Sequence, residues 1–347
     1  MTDQPDLESG ASAKVPSPAH PISRTLAPPH ALTPTTSPPC APAPAPTASS
    51  HPAPTPATSP RPSPAPSDLA LLRAELRHLR ARAHTHPLIS QAQGILQERY
   101  ALADGESAFA LLQRASQQHN VRMRLLVEAV IRTPGPDPRH HPLWFPRRTQ
   151  LPAPPLTFQA ARQANGDTNG ASPLNHGTVL RSVLSQLLAI TDTDMGNVQL
   201  PDRVRGGLRL EHHTGLSEDF VDFFAHVGDD GTSCAEAART LSQVTVGDVE
   251  SAPVFDEASR RAILDAGSRA AHSAPLFTSA GVCVGMASAH LDRTVKQMTA
   301  AQHKAMTDLG AQAGQWLAWY NRTVLTDALE HLHVLGTRHR GTAVRRR

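Results

Sequence analysis

Apolar residues along this chain recur at helical spacing in one segment and alternate as strands do in another, with a proline-rich stretch ahead of each. Ser67-Asp68 offers an N-cap, after which Leu69, Leu72, Leu76, Leu79 and Ala83 follow at spacings of 3, 4, 3 and 4. Arg73, Glu75, Arg77, Arg80 and Arg82 take the other faces, which makes a two-heptad seam. Two heptads are marginal by themselves. The seam therefore predicts a helix that either packs on its neighbours or dimerises through Leu69, Leu72, Leu76 and Leu79. Pro87 suits the first turn of a new helix, so a break is expected there. Beyond it lie three short amphipathic stretches: Leu88 to Arg99, Ala108 to Ala115 and Val121 to Val130. Asp104-Gly105 and His119-Asn120 punctuate them, and Thr133-Pro134 ends the last. The pattern predicts a small all-α module over 67–133, which would gain from dimerisation.

Residues 134–173 are rich in Pro, Gly, Asn and Gln and read as a flexible linker, with Leu143-Trp144-Phe145 as its one apolar spot. From 174 the texture changes. Val179, Leu180, Val183, Leu184, Leu187, Leu188 and Ile190 give a helix with a wide apolar stripe. Strand-like alternation follows at Met195–Leu200, Gly207–His212, Gln243–Val246, His272–Phe277 and Val282–His290. Helical patterns fall at Phe220–Phe224, Ala258–Ala266 and Thr299–Tyr320, and Gly231-Thr232-Ser233-Cys234 reads as a loop. Helix, antiparallel strands with inserted helices, then helix is an α+β architecture over 174–320. Residues 321–347 extend the last helix into a tail that ends Arg345-Arg346-Arg347.

Proline sharpens these boundaries. Of 32 prolines in 347 residues, 19 fall in 1–66 and 8 between Pro134 and Pro155. The arm 1–66 has no Phe, Tyr or Trp and few charges, so it is expected to be disordered and a single large enzyme core is excluded. The net charge is only +3, and the 67–133 module carries nine Arg against six acids. Cys40, Cys234 and Cys283 are odd in number and far apart, which argues against a disulfide framework. The acidic start lacks an apolar run, so no signal peptide is expected, and no run approaches the length of a membrane span. These features predict a cytoplasmic protein.

Catalytic motifs are wanting. The chain has no phosphate-binding Gly-x-x-x-x-Gly-Lys loop, no Cys-x-x-Cys and no His-Glu-x-x-His. His212-His213 sits at a strand end, where neighbouring side chains point to opposite faces and cannot share a metal. His140-His141 reads as a solvated pair. No metal site, cofactor or catalytic residue is assigned, and no enzyme is expected.

Ile89 to Tyr100 (Ile-Ser-Gln-Ala-Gln-Gly-Ile-Leu-Gln-Glu-Arg-Tyr) resembles the signature of the ANTAR family of transcription antitermination regulators. Glu106–Leu112 is similar to the family's second-helix motif. Ser116, Asn120, Met123, Ala129, Val130 and Ile131 fit its third. The chain departs from the usual pattern at Gln93, Gln97, Leu125, Leu126 and Val127. The later segment resembles a GAF domain through Asp194–Leu200, Gly215-Leu216, Phe220–Phe224, Val246–Val249, Ser273–Phe277 and Gly285–His290.

These resemblances imply a dimeric regulator that binds RNA hairpins in nascent transcripts and is controlled by a GAF-like sensor with a small-molecule ligand. Arg99, Arg114, Arg122 and Arg124 are the candidates for phosphate contacts, with Tyr100 for base stacking. Asn197, Gln199, Cys234, Cys283 and His290 are the candidate sensor-pocket residues. The family places its sensor first, whereas here it follows a proline-rich linker. Coupling is therefore expected through shared dimerisation or effective concentration rather than through a rigid helix. The alternative is a sensor or interaction protein whose helical module only dimerises.

Overall fold

The computed structural model describes residues 66–137, 139, 143–167 and 175–344. The arm 1–65, His140-His141 and the terminal arginines lie outside the described residues, as do the side chains of Leu69 and Leu76. The contacts of Ser63–Arg347 cluster as one unit.

Three helices open it: α1 (Pro66–Tyr100), α2 (Gly105–Gln118) and α3 (Met123–Arg132). Asp104 caps α2 by accepting from the Ser107 N–H at 2.7 Å. Ala101 and Asn120 take left-handed φ of 52° and 49° where the chain reverses. The break expected at Pro87 does not occur. α1 runs through it, forfeiting only the one intrahelical hydrogen bond that a proline cannot donate. Ala92, Leu96, Leu112, Leu126, Val127 and Val130 fill the space between the three helices, all fully buried. Leu126 and Val127, two of the departures from the family pattern, are thus absorbed in this core.

The second half is a six-stranded antiparallel sheet in the order β3-β2-β1-β6-β5-β4. Its strands are β1 (Met195–Pro201), β2 (Leu208–Thr214), β3 (His226–Val227), β4 (Val244–Val246), β5 (Ala270–Phe277) and β6 (Cys283–Leu291). Alternation along the central strands sends Val198, Leu200, Ala274, Leu276, Ala287 and Ala289 to one face. There α5 (His176–Thr191) and α9 (Ala300–Arg322) cover them. The other face presents Leu208, Ala271 and Met286 to a second apolar cluster. Its helices are α6 (Glu218–Phe223), α7 (Ser233–Thr240) and α8 (Glu257–Asp265). Gly314 lets α9 lie on the sheet, since a Cβ there would stand 2.2 Å from the Phe277 carbonyl oxygen.

Two features change the expected layout. After a break at Thr323, α10 (Val324–Val344) runs back along the opening helices and inserts Ala328, Leu329 and Leu332 into their core. The all-α module is therefore a four-helix assembly completed from the far end of the chain. The linker expected to be flexible is also packed where described. Trp144 is 3% exposed, and its backbone N–H and that of Phe145 donate to the Glu330 carboxylate at 2.9 and 2.7 Å. The Trp319 indole donates to the Leu151 carbonyl at 2.7 Å, and α4 (Gln159–Asp167) lies on α5. A proline-rich segment lacks backbone donors, so its anchoring falls to the few donors that remain and to its aromatic rings.

Candidate nucleic-acid interface and sensor pocket

Two of the candidate RNA contacts lie at the start of α3, in a ladder of alternating charge that reaches to the sheet. Arg122 donates from Nη1 to Glu211 Oε2 at 2.6 Å and from Nη2 to His212 Nε2 at 3.0 Å. Arg124 bonds Glu128 Oε1 at 2.9 Å and Asp202 Oδ2 at 3.0 Å. Arg209 on β2 closes the ladder, 2.7 Å from Glu211 and 3.7 Å from Glu128. Three arginines and three acids thus join α3 to the β1–β2 hairpin.

Their titration follows from this setting. Burial by itself would raise the Asp202 carboxyl. The N–H bonds from Arg205 and Val204 and the charges of Arg124 and Arg209 outweigh it, holding the group below its ordinary value. Burial, then the Arg122 charge, presses His212 down to about 4, so its Nε2 is neutral and accepts from the guanidinium.

The remaining candidates are spread out. Tyr100 is 2% exposed, shares a 3.0 Å hydrogen bond between its hydroxyl and His333 Nδ1 on α10, and has its own hydroxyl pKa pushed up to about 12 by burial. Its ring is core material in this arrangement, with no face open to a base. Arg99 lies over the Trp144 ring, 4.6 Å from its centroid. Arg114 is exposed on α2. Of the seam residues, Leu72 and Leu79 are 52% and 51% exposed beside Leu71 at 70%. Leu71, Leu72 and Leu79 thus stand uncovered on the first half of α1.

Four of the five pocket candidates, Asn197, Gln199, Cys234 and His290, converge on the sheet face under α7. Cys234 is on that helix rather than on a loop, because the Thr232 hydroxyl caps it by accepting from the Ala235 N–H at 3.1 Å. Strand register places Asn197 and Gln199 of β1, Ser273 of β5, and Ser288 and His290 of β6 on this one face. Ser233, Ser273 and Ser288 form a chain of 3.0 Å hydroxyl contacts, and the Cys234 Sγ stands 3.1 Å from Ser288 Oγ. Asn197 Nδ2 donates to His290 Nε2 at 3.3 Å. Burial holds His290 at about 4, so its ring is neutral; its Nδ1–H then donates to Ser268, which donates to the Ala270 carbonyl.

Asn197 Oδ1 and Gln199 Oε1 have no partner. Buried amide oxygens without donors are uncommon, and these two would be satisfied by N–H or O–H groups. Burial raises both thiols, so neither Cys234 nor Cys283 is a poised thiolate at neutral pH. Cys283 stands apart, at the wall of a separate cavity of about 310 Å³ with Leu208, Ala235 and Arg239. Among the described residues, no group of three or more His, Cys, Asp or Glu is placed to hold a metal. Nor is any helix of the described residues long and apolar enough to cross a membrane.

The sequence alone did not point to Glu128, Asp202, Arg209 or Glu211. The only hint was the alternation of charge in Leu208-Arg209-Leu210-Glu211, and it names no partner.

Residues 77–131 match the ANTAR domain family. The C-terminal part is similar to solved GAF domains. One is from an Acinetobacter phosphoenolpyruvate-protein phosphotransferase, at 14% identity over 47% of this chain and 93% of that one, with a TM-score of 0.37. Another is from the corresponding Coxiella burnetii protein, at 17% identity over the same shares and a TM-score of 0.37. It is also similar to a free methionine-R-sulfoxide reductase from Neisseria meningitidis, at 19% identity over 44% of this chain and 95% of that one, with a TM-score of 0.30. No curated protein matches the chain. The residues that match the ANTAR family thus lie ahead of an α+β domain with a six-stranded antiparallel sheet.

Proposed function

We propose that this protein is a cytoplasmic, signal-responsive regulator, not an enzyme, whose ANTAR module binds hairpins in nascent transcripts and whose GAF-like domain controls that binding. The observation that carries the reading is the ladder. Arg122 and Arg124, the cations best placed at the start of a helix to meet phosphates, are held by Glu211 and Asp202 of the β1–β2 hairpin. The sensor's carboxylates occupy the guanidiniums that RNA would need, so the docked form is the resting form. A signal that displaces the hairpin frees Arg122 and leaves Arg124 with only Glu128 of its own helix. α9 on the sheet leads through the break at Thr323 directly into α10 in the helical core, which ties the sheet to the module by chain connection. A ligand acts by favouring one arrangement over the other.

The buried, protonated thiols and the neutral His290 support a binding role for the GAF-like domain over a catalytic one. Dimerisation through the exposed Leu72 and Leu79 of α1 would bring two modules together on tandem hairpins. Those same leucines favour the second reading, in which the helical module only dimerises. A salt-dependent anisotropy titration with tandem-hairpin RNA separates the two. The RNA reading expects tighter binding than to unstructured RNA of equal length, reduced by Arg114→Ala and Arg122→Ala. Equal affinity for both RNAs, unchanged by the substitutions, leaves the dimerisation reading.

A further inference from the structure

A cavity of about 220 Å³ lies where α3, the sheet and the α9–α10 turn meet, on the opposite side of the sheet from α7. It has room for roughly seven waters. Its floor is apolar, formed by Leu125 and Ala129 of α3, Leu200 of β1, Leu317 of α9 and Leu329 of α10. Arg132, Arg203 and Arg209 line it, with Glu128 and His176.

The charges do not balance. Glu128 is neutralised by Arg124 at 2.9 Å and faces Arg209 at 3.7 Å. Arg132 and Arg203 make no ion pair among the described residues and stand exposed at the rim, where partial burial and then Arg132 lower the Arg203 pKa against the pull of Glu128. Deeper in, His176 is 4% exposed and its Nδ1 has no hydrogen-bond partner; the Arg209 Nε is likewise buried and unpartnered. Buried polar atoms without partners are uncommon and call for one. An apolar floor, two unpaired guanidiniums and two unpartnered nitrogens describe a site for a molecule with an apolar body and an anionic end.

We propose that this cavity binds a small carboxylic acid with an aromatic or branched alkyl body, its carboxylate on Arg203 and Arg132 and its body on the leucine floor. Because the site is walled by α3 on one side and the sheet on the other, an occupant holds the two modules in their docked arrangement. The site stands on the docked geometry alone, so it can hold or fail independently of RNA binding.

The test uses the full chain, with phenylacetate as probe, phenylacetamide as its neutral counterpart and inorganic phosphate as charge without an apolar body. Thermal unfolding and calorimetric titration are read at matched ionic strength. The expected result is a saturable rise in Tm with phenylacetate and none with the other two. Arg203→Gln and Arg132→Gln should each weaken phenylacetate at least tenfold while leaving the unliganded Tm unchanged, since both side chains are at the exposed rim. No rise with phenylacetate, an equal rise with the amide, or full binding in Arg203→Gln overturns the proposal.

Discussion

Gly336 on α10 faces the ring of Tyr100, and replacing it with alanine puts a number on the claim that the far end of the chain completes the ANTAR module. An added Cβ would stand 2.5 Å from Tyr100 Cγ and Cδ2 and 2.8 Å from Cδ1. Carbon atoms rest at about 3.5–4.0 Å, so the ring or the helix must move by about 1 Å. The ring has little freedom to do so, because it is 2% exposed and its hydroxyl is bonded to His333 one turn earlier on the same helix. Overpacking of this kind costs about 1–3 kcal/mol, and the better helix propensity of alanine offsets about 1 kcal/mol of it. Three ring atoms within 3.0 Å put this position in the upper part of that range, about 2–3 kcal/mol, so the expected net loss is about 1–2 kcal/mol. Gly94, inside α1, is the control, since nothing lies within 4 Å of a Cβ added there. The same substitution at Gly94 should be neutral or stabilise by up to about 1 kcal/mol. Urea unfolding of the full chain, followed by circular dichroism, compares the two. If Gly336→Ala is as stable as the parent, or if both alanines shift stability in the same direction, α10 does not pack on Tyr100 as described.

Three further outcomes follow from other contacts. Glu330→Ala leaves the Trp144 and Phe145 N–H groups without their acceptor. It should cost about 2–3 kcal/mol and speed tryptic cleavage at Arg147 and Arg148. Burial holds His176 at about 3 and His290 at about 4, below the unfolded value of about 6.5. The unfolded chain therefore takes up protons first as pH falls, and stability is lost below pH ~6.5, by about 2 kcal/mol per histidine at pH ~5. His290→Gln should flatten that slope in unfolding curves taken across this range. In a Cys40→Ser background, iodoacetamide at pH 8 should label Cys234 and Cys283 at least tenfold more slowly in the native protein than in urea, because burial keeps both thiols protonated. Equal rates would mean that the thiols are open to solvent.

Much of this fold was legible from periodicity. The 3.6-residue repeats gave α2, α3, α5 and α9, and the alternating runs gave the long strands, because each depends on neighbours in sequence. What was not legible depends on distant partners. Tyr100 ends a helix and looks half-exposed in sequence, but the residue that buries it is His333, 233 positions away. Pro87 is a helix breaker by propensity, yet α1 runs through it at the cost of one hydrogen bond. Cys234 follows a glycine and reads as loop, although Thr232 is a good N-cap and the residues after it favour helix. The arginines of α3 were recognisable as candidates. Their partners Glu211 and Asp202 were not, because nothing local in Leu210-Glu211-His212 or Pro201-Asp202-Arg203 points toward α3.

The latch formed by these pairs is the centre of the account. Asp202→Asn with Glu211→Gln keeps the side-chain shapes, and the amide oxygen placed at position 202 can still accept the turn N–H bonds that Asp202 Oδ1 accepts from Val204 and Arg205. The hairpin charges that hold Arg122 and Arg124 are removed, along with the one that Glu211 offers Arg209, while Glu128 stays beside Arg124. The Arg124–Asp202 pair is largely buried, with side-chain exposures of 20% and 1%, whereas Arg122 is 41% exposed. Together they should contribute about 2–3 kcal/mol to docking. The direct measurement is the affinity of the doubly substituted protein for tandem-hairpin RNA beside that of the parent, at one salt concentration. The expected result is binding about tenfold to a hundredfold tighter once the arginines are free of the hairpin. Affinity equal to or weaker than the parent's, in a protein that remains folded, would show that Asp202 and Glu211 do not hold the helical module in check.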